Sequence, residues 1–167
     1  MREAVFSSLG ERVRGCRMLD LFAGTGAYGL EAWSRGAERV DWVEGDRTAG
    51  KALEANLGRV SKALGKDGAT TAFRIHKQEV FSFLRGVDAG SWDLVIADPP
   101  YGEAPCTLPR IMEILGTGGF PAEGLFLAEA PVEWDGEAAG WECRKVLGGG
   151  KGAGRPTLRI FSPSGAD

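Results

Sequence analysis

Met18-Leu19-Asp20-Leu21-Phe22-Ala23-Gly24-Thr25-Gly26-Ala27-Tyr28-Gly29 is the stretch on which the fold turns. A short apolar strand runs into Gly24-x-Gly26-x-x-Gly29, and a helical pattern follows at Leu30, Glu31, Ala32 and Trp33. Glycines at this spacing permit a tight turn, close approach of backbone to a ligand, and close packing of helix on strand. About twenty residues on, Val40-Asp41-Trp42-Val43-Glu44 reads as a second strand ending in an acid, where open α/β sheets bind ribose hydroxyls. The glycine pattern alone fits a dinucleotide-binding enzyme equally well.

The rest of the chain alternates strands and helices, as a mostly parallel sheet requires. Val5 and Leu9 suggest a short opening helix. Strands are expected at 17–23 and 39–44 with a helix at 27–35 between them, and Leu53, Leu57, Val60 and Leu64 mark 47–64 as an amphipathic helix. A third strand at 71–76, a short helix at 80–84 and a strand at 92–97 follow. Ile111, Met112, Ile114 and Leu115 form a helix ended by Gly118-Gly119, and 125–130 is the fifth strand. The tail, 141–147 and 157–162, reads as a hairpin joined by the glycine-rich stretch 148–154.

The strand at 92–97 delivers Asp98-Pro99-Pro100-Tyr101. Proline fixes φ and lacks an N–H, and it forces extended geometry on the residue before it, so the turn is stiff and its carbonyls stay free. Asp98 and the Pro99 carbonyl could each accept one hydrogen of a planar NH2 group while Tyr101 stacks on the attached ring. That describes a site for the exocyclic amine of a nucleobase. A proline turn with Asp98 as a cap and Tyr101 in the core is the plainer alternative. Asp20 inside the first strand, taken with this tetrapeptide, fits S-adenosylmethionine (SAM) rather than a dinucleotide.

On these motifs the chain resembles a class I SAM-dependent methyltransferase, and more closely the bacterial family that methylates N2 of guanine-966 in 16S ribosomal RNA. The similarity is carried by Arg2-Glu3-Ala4-Val5-Phe6, Leu19 to Ala27, Gly29-Leu30-Glu31-Ala32, Val43-Glu44-Gly45-Asp46-Arg47 and Asp98-Pro99-Pro100-Tyr101. It implies an α/β, Rossmann-like domain over residues 1–167: a mostly parallel seven-stranded sheet, helices on both faces and a C-terminal antiparallel hairpin. It implies SAM as cofactor, and as partner 16S ribosomal RNA or an assembling small subunit, with a cytoplasmic monomer expected. Asp98, Pro99, Pro100 and Tyr101 would form the catalytic slot. Gly24 and Gly26 would let the backbone reach the methionine part of SAM, Asp20 would hold its ammonium group directly or through water, and Phe22 is a second candidate stacking ring. Glu44 would take the ribose hydroxyls. Glu79 would accept from the adenine amine while the Val80 N–H meets a ring nitrogen, although a helix-start acid explains Glu79 nearly as well. Asp46 reads as the cap of the next helix.

Two features depart from that family. Its usual N-terminal basic hairpin and arginine-proline-threonine segment are absent ahead of Met1, and Ser7 stands where asparagine is common. Phosphate contact would then fall to Arg2, Arg12 and Arg14 at one end and Lys151 and Arg155 at the other; if these form one face beside Tyr101, RNA affinity should be weak and fall steeply with salt. Net charge is −3 over 167 residues, but residues 1–17 carry +2 and residues 141–167 carry +3. Basic ends of this kind can grip phosphates locally.

Composition bounds the reading. Hydrophobic content of 43% and charged content of 26% are ordinary for a globular domain. No apolar run approaches the roughly 20 residues of a membrane span, and no signal peptide is evident. Cys16, Cys106 and Cys143 lack metal-ligand spacing and His76 is the sole histidine, so no metal site is expected and a Ser-His-Asp mechanism has little material. Two other readings stay open at this stage: an adenine-N6 amino-methyltransferase acting on DNA or RNA, and a non-catalytic SAM-binding module.

Overall fold

Apolar strands bordered by glycine turns can bury both faces only if helices cover them. The computed structural model, which describes residues 1–65, 72–148 and 156–165, has that layering. In chain order the elements are α1 (Arg2–Leu9), β1 (Arg17–Leu21), α2 (Ala27–Ser34), β2 (Arg39–Val43), α3 (Arg47–Ala63), β3 (Phe73–His76), α4 (Val80–Leu84), β4 (Leu94–Ala97), α5 (Ala104–Thr117), β5 (Leu125–Pro131), β6 (Trp141–Gly148) and β7 (Pro156–Pro163). Single 3-10 turns occupy Gly10–Val13 and Ala89–Ser91. The sheet order is β3-β2-β1-β4-β5-β7-β6. Strands β1 to β5 pair in parallel, and β7 runs antiparallel between β5 and β6. The expected mostly parallel seven-stranded sheet with a terminal hairpin is therefore present.

Two apolar layers flank the sheet. On one face Val5, Phe6 and Leu9 of α1, Ala32 and Trp33 of α2 and Leu53 of α3 pack on Met18, Val40, Trp42 and Ile96. On the other, Val80, Phe83 and Leu84 of α4 and Leu108, Ile111, Met112 and Leu115 of α5 pack on Leu19, Val43, Val95 and Phe126. None of the described helices is long and apolar enough to cross a membrane. Helix α5 begins at Ala104, well before the Ile111 that marked it in the sequence. Two prolines hid its start. Pro105 sits in the first turn, where a missing N–H costs nothing, and the bond lost at Pro109 would have gone to the carbonyl of exposed Pro105.

Asp41 on β2 is fully buried and is the charged centre of the sheet's inner half. Its carboxylate accepts from Arg39 Nε at 2.6 Å and from Trp92 Nε1 at 3.0 Å, and pairs with His76 Nε2 at 2.8 Å. These contacts tie β2 to β3 and to the segment entering β4. Burial pushes the Asp41 carboxyl up, but the hydrogen bonds from His76, Trp92 and Arg39 outweigh it and hold the group below the usual carboxylate range. A carboxyl depressed in the folded state stabilises above its unfolded value of about 3.9, and that contribution is lost as pH falls through the folded value. Asp41→Asn should therefore cost roughly 3 kcal/mol at neutral pH, the lower end for breaking a buried pair because Arg39 and His76 are partly exposed. Denaturant melts of both proteins from pH 7 to pH 3 should show the gap narrowing below about pH 4. A gap that stays constant would mean the Asp41 charge is not what stabilises the sheet.

Candidate active site

The strand register lines up one end of the sheet. Leu21 lies opposite Val43 on one side and Ala97 on the other, and Ala97 lies opposite Ala128. The next residue of each chain is Glu44, Phe22, Asp98 and Glu129. Three carboxylates and one ring thus share a row at the carboxyl ends of β2, β1, β4 and β5, where open α/β sheets place their ligands.

Two carboxylates hold the glycine turn between β1 and α2. Asp20, 3% exposed, accepts the Gly29 N–H at 2.9 Å. Glu44 accepts the Gly24 N–H at 2.7 Å and the Asp46 N–H at 2.6 Å. The glycines divide the work. Gly29 lies against the Trp42 indole, and a Cβ there would collide with it. Gly24, at φ +55, faces open space, with nothing within 4 Å of where a Cβ would stand. Gly26, at φ +82, precedes α2 and packs on Leu53. Phe22, at φ +57, is the only described non-glycine residue with positive φ, so the chain leaves β1 through a sharp, costly bend. Burial raises the Asp20 carboxyl to about 8; the Gly29 N–H opposes this, and the Asp98 and Glu44 charges add to it. Asp20 was expected on a ligand's ammonium group. It lies beneath the turn, with one carboxyl oxygen on the Gly29 N–H.

Asp98, Pro99 and Tyr101 line a niche of about 80 Å³ together with Ala104, Glu129, Ala130, Pro131 and Pro156. The Pro100 carbonyl accepts from the Glu103 N–H at 2.8 Å, whereas the Pro99 carbonyl takes no hydrogen bond from a described residue. Tyr101 is 50% exposed, so it is a surface ring at the lip and not part of the core. Burial of the Asp98 carboxyl, with the Glu129 charge second, pushes it up to about 6. Glu129 in turn accepts from the Tyr28 hydroxyl at 2.8 Å. Sequence reading passed over Glu129 and Tyr28. The signal was available, since Glu129 is the single charge in the apolar run 125–131.

Glu79 and Val80 adjoin this end, because Gly45 lies against the backbone of Gln78 and Glu79. Glu79 caps α4, as its helix-start reading expects: its two oxygens accept from the Phe81 and Ser82 N–H groups. The Val80 N–H donates to no described residue. Asp46 caps α3 through the Thr48 and Ala49 N–H groups, as expected. The proposed basic face does not assemble as expected. Arg12 bonds the Glu123 carbonyl ahead of β5 and Arg14 precedes β1, so both lie at the end of the sheet away from Tyr101. Arg2 lies near Glu31 on α2, and Lys151 and Arg155 fall outside the described residues.

Known proteins place this geometry. The chain is 32% identical over 134 residues to Ribosomal RNA small subunit methyltransferase D of Escherichia coli (strain K12), covering 80% of this chain and 62% of that protein. It is 30% identical over 101 residues to the protein of the same name in Haemophilus influenzae, covering 60% and 50%. The chain thus matches between half and two thirds of the length of these relatives. A conserved hypothetical protein from Streptococcus pyogenes superposes with a TM-score of 0.81 at 27% identity, over 100% of this chain and 98% of that one. An RNA methyltransferase from Salinibacter ruber, in complex with S-adenosyl-L-homocysteine, shares the fold at 13% identity, with a TM-score of 0.69 over 98% and 90% of the two chains. Residues 1–147 match the family model described as Conserved hypothetical protein 95, and the chain belongs to that family.

Proposed function

We propose that this chain transfers a methyl group from SAM to the exocyclic N2 amine of a guanine in small-subunit ribosomal RNA. The observation that carries the reading is the niche, lined by the Asp98 carboxyl, by Pro99, whose carbonyl accepts from no described residue, and by the exposed Tyr101 ring. The names of the E. coli and H. influenzae relatives support ribosomal RNA as the substrate class.

The residues present fit SAM. Gly24 leaves open space above its backbone, and Glu44 keeps lone pairs for two hydroxyls beyond the backbone bonds it accepts. The Val80 N–H donates to no described residue. Asp20, Glu44, Asp98 and Glu129 gather carboxyls at one end of the sheet; burial first and neighbouring acids second raise Asp20 and Asp98, and a cationic ligand beside them favours their charged forms. When bound, SAM supplies an already activated methyl group on a sulfonium centre.

The protein's part is then position and charge. An aryl amine is a poor nucleophile because its lone pair is delocalised into the ring. Asp98 and the Pro99 carbonyl, each accepting one N–H, favour a pyramidal nitrogen and stabilise the positive charge it gains during attack. Tyr101 replaces stacking lost when the base leaves its helix. Rigid prolines hold the two acceptors in fixed orientation, which preserves in-line alignment. No dedicated base is needed, since the proton is shed from a nitrogen already bonded to a carboxylate.

Two outcomes follow. Asp98→Asn should lower methyl transfer about a hundred- to thousandfold with SAM affinity nearly unchanged. Transfer by the unaltered protein should rise with pH through about 6 as Asp98 ionises, because its raised value leaves the acid form dominant below that point. Labelled-methyl assays on small subunits, free RNA and DNA, with the modified nucleoside identified after digestion, check both the chemistry and the substrate. Label in adenine, or full activity in Asp98→Asn, would sink the reading. A separate outcome concerns Asp20, whose raised carboxyl, at about 8, ionises more readily beside a cation. SAM affinity measured by calorimetry should increase from pH 6 to pH 8 with release of protons, and Asp20→Asn should flatten that rise. Equal slopes in both proteins would separate Asp20 from the cofactor.

A further inference from the structure

We propose that Glu129 selects the base by accepting the N1–H of guanine while the neighbouring amine occupies Asp98 and the Pro99 carbonyl. The inference rests on the amine-methylation reading and names what makes that site choose guanine.

Glu129 is placed for the task by register. Ala97 and Ala128 are paired across parallel strands, so Asp98 and Glu129 stand side by side one residue further on, and both line the same niche. One Glu129 oxygen is fixed by the Tyr28 hydroxyl at 2.8 Å. The other takes no hydrogen bond among the described residues. The side chain is half-buried, with its carboxylate oriented by a helix α2 residue instead of trailing into solvent. At about 80 Å³ the niche has room for the edge of a ring, and the rest of the base must lie outside it against Tyr101.

What that edge carries differs between bases. In guanine the amine lies between two ring nitrogens, and the one on its Watson–Crick side, N1, bears a hydrogen and donates, whereas N3 is an acceptor. In adenine and cytosine the ring nitrogen beside the amine is an acceptor. A carboxylate next to the amine slot therefore gains a charge-assisted hydrogen bond from guanine. It faces a lone pair in either of the others, and leaves two acceptors opposed. The tetrapeptide recognises an amine without naming its ring; Glu129 supplies the name. The Tyr28 bond has a plainer explanation, namely docking α2 onto β5, and the two roles separate experimentally because docking is blind to the base.

The test uses 2-aminopurine, which keeps the amine at C2 but has an acceptor at N1. After the methylated position is mapped with the unaltered protein, RNA fragments carrying guanine or 2-aminopurine there are compared by kcat/KM. The unaltered protein should prefer guanine roughly ten- to a hundredfold, the range of one hydrogen bond to a charged group. Glu129→Gln, close in shape and still able to accept from Tyr28, should lose most of that preference. Tyr28→Phe, which removes the hydroxyl and keeps the carboxylate, should retain it. If Glu129→Gln does not fold, Glu129→Asp draws the carboxylate back by one methylene and should narrow the preference likewise. A preference left intact by these Glu129 changes, or equal slowing on both substrates, overturns the assignment while guanine methylation stands. Absence of any transfer to guanine by the unaltered protein overturns the parent reading, and this one with it.

Discussion

The glycine turn after β1 is fastened from below by Asp20 on the Gly29 N–H and from the side by Glu44 on the Gly24 N–H. Almost everything at this end of the molecule depends on that double hold. A loop of glycines costs more conformational entropy to order than any other, so something must fix it. Here the fixing groups are carboxyl oxygens that accept from backbone donors. They come from two adjacent parallel strands, so the loop is held in register with the sheet itself. The positive φ of Phe22 persists because both ends of its bend are tied down.

The same arrangement crowds carboxylates. Asp20, Glu44, Asp98 and Glu129 converge on one edge, and the bonds Asp20 and Glu44 accept there come from backbone N–H groups and that of Glu129 from a hydroxyl. Asp41 makes the contrast. Fully buried, it is surrounded by Arg39, His76 and Trp92 and, unlike Asp20 and Asp98, sits below the usual carboxylate range. One acid is satisfied and stabilises the sheet; the others are left partly unsatisfied where a cationic ligand would meet them. A conflict of charge concentrated at one edge of a domain whose interior is well matched is where function is expected.

Much of this was legible in the chain. The parallel order followed from alternating patterns, and the glycine turn and Asp98 tetrapeptide fixed which strand ends matter. Each strand from 17–23 to 125–130 appears close to its expected place because buried parallel strands read as short apolar runs. Helix α5 started early because prolines obscure a helix whose first turn can accommodate them. The backbone bonds that Asp20 and Glu79 accept have a related reason. A carboxylate near a helix start meets unpaired backbone donors within reach, and that local bond competes with any ligand. Glu129 and the grouping of Asp41 with His76 and Trp92 rest on strand register between residues far apart in the chain, which one strand's pattern cannot express. Arg12 and Arg14 failed to join Tyr101 because α1 and the turn after it carry the chain to the start of β1, the opposite end of the sheet.

The topology explains why donor and acceptor halves meet where they do. From β1 the chain moves outward through β2 and β3, then returns to lay β4 on the other side of β1 and continues to β5. Between β1 and β4 the crossovers part in opposite directions, and a crevice opens above the strand ends. Phe22 and Asp98 stand on its two sides. The glycine turn and Glu44 belong to the half before the switch; the tetrapeptide and Glu129 belong to the half after it. Each half is rigid through its own strand pairing, so under the proposed function a methyl group held by one would face an amine held by the other across a fixed gap. Reactants held this way need little reorganisation to react, and a fold that supplies that alignment leaves only charge development for individual side chains to stabilise.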